Sequence, residues 1–235
     1  MADGANVQIW QGHRPKLRPG GLTIVIDLLR AFTTTHYAIL NGAYDIILVG
    51  SIEEARSLKV ANKDSVLLAG ERCAVPIEGF DFGNSPAEIN RHRKLLNKTL
   101  VLTTTNGVTA ALHEMQSGDV VLTGFSNSYG TIEYVGQSLP ASGVVNIVAS
   151  HPTGDDDMAC AEYLRSMLLG ENPNLDDTQA RILNCEAAQK SADPDQPQFD
   201  PEDLALAASP KNSRFAMLAA RTSTVNVKKA PVKTS

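Results

Sequence analysis

Short apolar runs alternate along this chain with stretches whose apolar residues recur at helical spacing. Residues 22–26 (Leu22-Thr23-Ile24-Val25-Ile26) are nearly all apolar and predict a buried strand, and residues 34–42 predict a helix closed by Asn41-Gly42. Residues 46–49 predict the next strand. Ser51 then predicts the N-cap of a helix over 52–61, with Glu54 three residues on as a capping box. A strand over 65–69 runs into a long polar loop. At its end Ser85-Pro86 opens another helix, Ser85 as N-cap and Pro86 at the first helical position. The pattern continues with a strand over 99–103, a helix over 106–115, a strand over 120–122, a helix over 126–139, a strand over 144–149 and an amphipathic helix over 155–169.

Alternating units of this length predict an α/β protein, a three-layer α/β/α arrangement with a largely parallel or mixed central sheet. Beyond Gly170 the rhythm changes: residues 176–190 read as one helix, 191–201 as a loop rich in Pro and Asp, and 202–208 as a short helix. We expect a single domain over 1–221. Residues 222–235, which include Lys228-Lys229-Ala230-Pro231-Val232-Lys233, are set apart as a tail that frays or contacts a partner.

Composition narrows the function classes. A chain of 235 residues that is 43% hydrophobic and 20% charged can bury one large core. Its net charge of −5 argues against a nucleic-acid partner. No run approaches the roughly 18 apolar residues that span a bilayer, so no membrane partner is expected. Met1-Ala2-Asp3-Gly4-Ala5 has neither the basic nor the apolar region of an export signal. Three cysteines, Cys73, Cys160 and Cys185, without CxxC spacing favour a reducing, cytoplasmic setting.

The candidate chemistry sits at the strand exits. Asp27 ends the strand over 22–26, and Arg30, Thr33, Thr34 and Thr35 follow at a helix start. An aspartate for a hard cation, with guanidinium and helix N–H groups for an anion, is a set that phosphoryl chemistry needs. An Asp27 that only caps its turn fits equally well. The exit Thr103-Thr104-Thr105-Asn106-Gly107 can cradle a phosphate or sulfonate, or serve as a plain cap.

The loop Gly70-Glu71-Arg72-Cys73-Ala74-Val75-Pro76-Ile77-Glu78-Gly79-Phe80-Asp81-Phe82-Gly83-Asn84-Ser85-Pro86 carries more charge than packing calls for. Parallel strands are expected to bring these exits to one edge of the sheet. Asp155, Asp156 and Asp157 open a helix, where acids also suit the dipole, and Ser126-Asn127 is a further polar exit. Cys73 could be a nucleophile, but a small filler is the plainer reading. His13, His36, His92, His113 and His151 show no metal spacing, and His151 alone draws interest from its position. There is no GxGxxG after the first strand, no GxxxxGK[ST] and no GxSxG.

Four blocks together resemble the 2-phosphosulfolactate phosphatase (ComB-type) family. They are Val25-Ile26-Asp27-Leu28-Leu29-Arg30-Ala31-Phe32-Thr33-Thr34, Gly70-Glu71-Arg72 with Ile77 to Pro86, Thr103-Thr104-Thr105-Asn106-Gly107, and Asp156-Asp157-Met158-Ala159-Cys160-Ala161. Ser213-Arg214-Phe215-Ala216-Met217 is a weaker fifth. The chain departs from the family pattern at Cys73-Ala74, often glycine there, and at Asp156-Asp157 and Ala161-Glu162.

The resemblance implies one compact α/β/α unit. It also implies Mg²⁺-dependent hydrolysis of (2R)-2-phospho-3-sulfolactate to 3-sulfolactate and phosphate, a step towards coenzyme M. On that reading Asp27, Arg30, Glu71, Arg72 and Asp81 are catalytic. Asp27, Glu71, Asp81, Asp156 and Asp157 are the metal set. Thr33, Thr34, Asn84, Ser85, Thr104, Thr105, Asn106, Gly107, Ser126 and Asn127 meet the small anionic substrate. Two alternatives stay open: a metal-dependent phosphatase of another small phosphorylated hydroxy acid, and a non-catalytic ligand-binding relative. The fold leaves room for a homodimer.

Overall fold

The structure, a computed structural model, describes residues 6–92, 95–116, 118–139, 143–191, 193 and 195–232. The strands in chain order are β1 (Asn6–Gln11), β2 (Leu22–Ile26), β3 (Asp45–Leu48), β4 (Val66–Arg72), β5 (Val75–Pro76), β6 (Thr99–Thr103), β7 (Val120–Thr123), β8 (Val144–Ala149), β9 (Phe215–Arg221) and β10 (Val225–Pro231). The helices are α1 (Ala31–Leu40), α2 (Ile52–Ala61), α3 (Pro86–Arg91), α4 (Gly107–Glu114), α5 (Ser128–Gln137), α6 (Asp155–Leu168), α7 (Leu175–Leu183), α8 (Glu186–Ser191) and α9 (Pro201–Ala208). The caps form where the sequence places them: Ser51 accepts from Glu54 N–H at 3.1 Å, and Ser85 from Glu88 N–H at 3.0 Å.

The strands form one mixed sheet in the order β1-β8-β2-β7-β9-β10-β3-β6-β4-β5. β1, β8, β2 and β7 are mutually parallel, and so are β3, β6 and β4. Between these two groups lies the β9–β10 hairpin, joined antiparallel to β7 on one side and to β3 on the other. Three antiparallel steps reverse the strand direction. The two parallel half-sheets therefore run opposite ways, contrary to the expectation of one shared edge.

The carboxyl ends nonetheless meet: Gly107, just past β6, donates its N–H to Asp27, just past β2, at 2.8 Å. No flat sheet allows that contact across five strand steps, so the sheet twists and curls round the hairpin. The core agrees. On one face Val25, Leu122 and Met217 share a cluster with Leu48, Leu100 and Leu102 from the other half, together with Phe32 of α1, Ile89 of α3 and Val108 of α4. The opposite face of β2, Ile24 and Ile26, packs with Phe125, Ile147 and Leu164, and the outer face of β6 packs Val101 against Ala55 of α2. Successive β2 side chains enter different cores, which is why its sequence reads as an unbroken apolar run.

Three expectations change. The segment over 222–235 is not a tail through its described part, because Val225–Pro231 pairs with β9 along its whole length. Val225 and Val227 alternate into the core while Lys228 and Lys229 reach solvent, and those lysines give the stretch its tail-like look. Residues 233–235 lie outside the described ones. The helix expected over 176–190 is two helices, α7 and α8, broken after Leu183 at Asn184. β1 adds an edge strand parallel to β8 that the sequence reading left unassigned.

Candidate active site

Asp27 stands where the two half-sheets meet. Its Oδ1 accepts from Ala31 N–H at 2.9 Å and its Oδ2 from Gly107 N–H at 2.8 Å, so one carboxylate lies between the first turns of α1 and α4. Gly107 must be glycine, since a Cβ there would overlap the Asp27 carboxylate. Burial raises the Asp27 pKa from 3.8 to about 6, and the charges of Glu71 and Asp156 add to the rise, against the two N–H bonds. Asp156, at the start of α6, is likewise pushed by burial to about 6. Asp157 is raised well above the ordinary carboxylate range by burial and by the charges of Asp156 and Asp27.

The other half supplies a carboxylate of a different kind. Glu71, near the end of β4, accepts from Thr105 N–H at 2.7 Å, Thr105 Oγ1 at 3.0 Å and Ala74 N–H at 2.7 Å. The Ala74 bond depends on a two-residue turn from β4 to β5, with Cys73 at φ 51° and Ala74 at φ 67°. Both residues sit in the left-handed region, as a type I′ turn demands. Cys73 N–H donates to Thr105 Oγ1 at 3.0 Å and closes the link to the α4 start.

A cavity of about 240 Å³ opens between these groups. Asp27, Arg30, Glu71, Asn84, Thr105 and Asn106 line it, together with His151, Lys190 and Phe199. Arg30 is held by Asp203 Oδ2 at 2.9 Å and Gln198 O at 2.8 Å, and its guanidinium lies 5.0 Å from the centre of the Phe199 ring. Asn84 Oδ1 is buried and has no hydrogen-bond partner among the described residues. A neighbouring cleft, lined by Thr153, Asp155, Asp156 and Glu186, shares Leu29, His151 and Lys190 with the cavity.

The chain matches the profile of the family described as 2-phosphosulpholactate phosphatase over residues 9–199. It is 42% identical over 212 residues to a Bacillus subtilis protein named "Probable 2-phosphosulfolactate phosphatase", covering 90% of this chain and 92% of that one. A relative of the same name in Caldicellulosiruptor saccharolyticus is 38% identical over 65% of this chain and 64% of its own length. Another in Thermotoga petrophila is 44% identical over 48% and 47%. This chain belongs to the 2-phosphosulpholactate phosphatase family.

Within this family member the structure gathers part of the expected site and disperses the rest. Asp27, Arg30, Glu71, Asn84, Thr105 and Asn106 share the cavity, Gly107 seats Asp27, and Asp156 faces the neighbouring cleft. Asp81 does not join them. Its Oδ2 accepts from Leu68 N–H at 2.8 Å and from Lys59 at 3.1 Å, which ties the loop to β4. Asp157 is a clamp, accepting from Leu28 N–H at 2.8 Å, His151 N–H at 3.1 Å and Ser150 Oγ at 3.3 Å.

Arg72 turns to Thr103 Oγ1 and its neighbour's carbonyl. Thr33 Oγ1 donates to Leu28 O, Thr34 is fully buried, and Thr104 Oγ1 caps Val108 N–H. Ser126 binds His36, and Asn127 accepts from Gly124 N–H. Ser85 caps α3 and donates to Asp203. Sequence reasoning missed Asp203, Lys190 and Phe199, which reach the site from the C-terminal third.

Family resemblance implies Mg²⁺. Among the described residues no three His, Cys, Asp or Glu side chains are grouped as a metal cage. Asp27 and Glu71 do line one cavity. Both Asp27 oxygens and Glu71 Oε1 accept one bond each and keep a lone pair, whereas Glu71 Oε2 accepts two. An all-oxygen set of one or two carboxylates fits Mg²⁺, which takes the rest of its shell from water and substrate phosphate. The mutual repulsion among buried acids that raises Asp27 and Asp157 also favours a cation here.

Proposed function

We propose that this chain is a phosphoric monoester hydrolase that converts (2R)-2-phospho-3-sulfolactate to 3-sulfolactate and phosphate, the step towards coenzyme M that the family likeness implies. The observation that supports it most is one cavity holding Asp27, Glu71, Arg30 and the Thr105-Asn106 turn, all within the span matched by the family profile. Asp27 and Glu71 would hold Mg²⁺, with Asp156 in reach of the neighbouring cleft. When bound, the ion would polarise the phosphoryl oxygen and make an attacking water more acidic.

This chain's own residues supply position and charge. Arg30, fixed by Asp203 and Phe199, presents guanidinium donors to the phosphoryl oxygens. Asn106 and the Thr105 hydroxyl stand at the α4 start, where an anion is favoured. Asn84, with a buried unpartnered oxygen, gains a partner when a hydrated ligand enters. Hydrolysis breaks the ester bond between phosphorus and oxygen, water supplies the new phosphate oxygen, and the leaving alkoxide takes a proton. Three free cysteines support a reducing, cytoplasmic setting, and no helix among the described residues is long and apolar enough to cross a membrane.

The test is phosphate release from a panel of phosphosulfolactate, phospholactate and phosphoglycerate, with Mg²⁺ and with chelator. We expect release from phosphosulfolactate at least about tenfold above the others, lost on chelation. A preference for phospholactate or phosphoglycerate would move the substrate to another hydroxy acid. Tight binding without release would make the chain a non-catalytic relative.

A further inference from the structure

The charges lining the cavity are unevenly committed. Arg30 has 8% of its side-chain surface exposed and is paired with Asp203, whose side chain is 2% exposed. That ion pair is part of the wall, and breaking it would strand a buried charge. Lys190 is the other Lys or Arg among the described lining residues. Among the described residues its ion-pair partner is Glu186, one helical turn back in α8, at 2.9 Å, and the Glu186 side chain is 76% exposed. An exposed pair of that kind holds its partners only weakly. An anion arriving in the cavity can therefore displace Glu186 readily, whereas it cannot displace Asp203.

Position gives this exchange a meaning. Lys190 borders both the cavity that holds Asp27 and the neighbouring cleft, and His151 borders both beside it. An ester phosphate placed near Asp27, Arg30 and Asn106 leaves the rest of a short ligand free to extend toward the neighbouring cleft, whose lining includes Lys190. Of the acids along that route Asp155 is paired with Arg181, whereas Asp156 and Glu186 repel a second anionic group. Such a group is accepted only where a cation offsets them.

We propose that Lys190 is a specificity-determining residue: it exchanges Glu186 for the carboxylate or sulfonate of the substrate and so selects phosphate esters with a second anionic group. This rests on the phosphatase reading above, but its own content is selection and binding. α8 is thus a recognition element of the cavity wall.

The test compares the wild type with Lys190→Ala and Lys190→Arg, on phosphosulfolactate and on phenyl phosphate, which lacks a second anion. Lys190→Ala is expected to raise KM for phosphosulfolactate about tenfold or more, to change kcat less than about threefold, and to change KM for phenyl phosphate far less than that for phosphosulfolactate. Lys190→Arg should restore most of the difference. Glu186→Gln, which frees the lysine, should lower KM for phosphosulfolactate. Equal effects on both esters, or none on phosphosulfolactate, would overturn the proposal.

Calorimetric titration of 3-sulfolactate into the same proteins separates the two readings. Wild-type binding that Lys190→Ala weakens about tenfold supports the Lys190 proposal even if no ester is hydrolysed. Hydrolysis of phosphosulfolactate with unchanged affinities and kinetics in Lys190→Ala keeps the phosphatase reading and removes Lys190. Absence of both binding and hydrolysis in the wild type overturns both.

Discussion

The two half-sheets bring opposite chemistry to their junction. The half built on β2 and β8 supplies Asp27, Asp156 and Asp157, buried acids whose pKa values are all raised, with burial the largest cause. The half built on β4 and β6 supplies Glu71, whose two oxygens take three hydrogen bonds from its own Thr105 and Ala74. One side stores electrostatic tension and the other is a satisfied cradle. A reactive site assembled from both can bind a charged ligand on the tense side without loosening the side that shapes it.

Two polar seams hold the halves in register. One is the Gly107 N–H bond to Asp27. The other is Asp203, which accepts Arg30 from the β2 side, and Ser85 Oγ at 2.6 Å and Ala87 N–H at 2.9 Å from the side that follows β4. Removing Asp203 should therefore have the largest structural effect. Asp203→Ala leaves the buried Arg30 guanidinium without its counter-charge and is expected to destabilise the fold by about 3–5 kcal/mol in chemical denaturation. Asp203→Asn, which retains an oxygen for Ser85 and Ala87, should lose less. A loss under about 1 kcal/mol for the alanine variant would show that the halves do not depend on this seam.

The tense side should announce itself in the pH dependence of stability. Asp27 and Asp156 have folded pKa values near 6, above the ordinary 3.8, so the folded state favours their protonated forms. Their contribution is fully present below about pH 4 and is lost as pH rises through about 6, and Asp157 acts in the same direction. On account of these groups the metal-free protein should lose on the order of 5 kcal/mol between pH 4 and 7. Added Mg²⁺ should accordingly raise Tm more at pH 7 than at pH 5. A Mg²⁺ shift that is equal at both pH values would separate the cation from these carboxylates.

The cradle side predicts the smallest change. Ala74 adopts φ 67° although it carries a Cβ. Ala74→Gly relieves that strain and is expected to stabilise the protein by about 1 kcal/mol, read as a rise in the denaturant midpoint at constant m. A destabilised Ala74→Gly would mean that the methyl group packs to more effect than the turn geometry shows.

How much of this was legible in the sequence differs by region. The β2, β6 and β8 runs, the Ser51 and Ser85 caps and the polar strand exits follow from local patterning, because each is decided within a few residues. β9 and β10 were not legible. Phe215–Arg221 is rich in Ala and has no Val or Ile, and its strand form is imposed by pairing on both sides at the centre of the sheet. The reversal of the two half-sheets depends on that hairpin, so it was hidden as well.

The site shows the same division. Asp27, Glu71 and the Thr105-Asn106 turn lie at exits that patterning finds. Asp81 sits inside a charged loop with Asn84 yet faces Lys59, because strand-like alternation along the loop separates neighbours in sequence. Asp203 and Lys190 lie over a hundred positions from Ser85 and Glu71, and no local spacing marks them.

We propose the junction at Asp27 as the place of phosphate ester hydrolysis. Phosphate release from phosphosulfolactate by Asp27→Asn, with Mg²⁺ present and folding checked by circular dichroism, tests it most directly. A fall in kcat of about a thousandfold in a folded protein is expected. A folded Asp27→Asn protein that releases phosphate at the wild-type rate would contradict it.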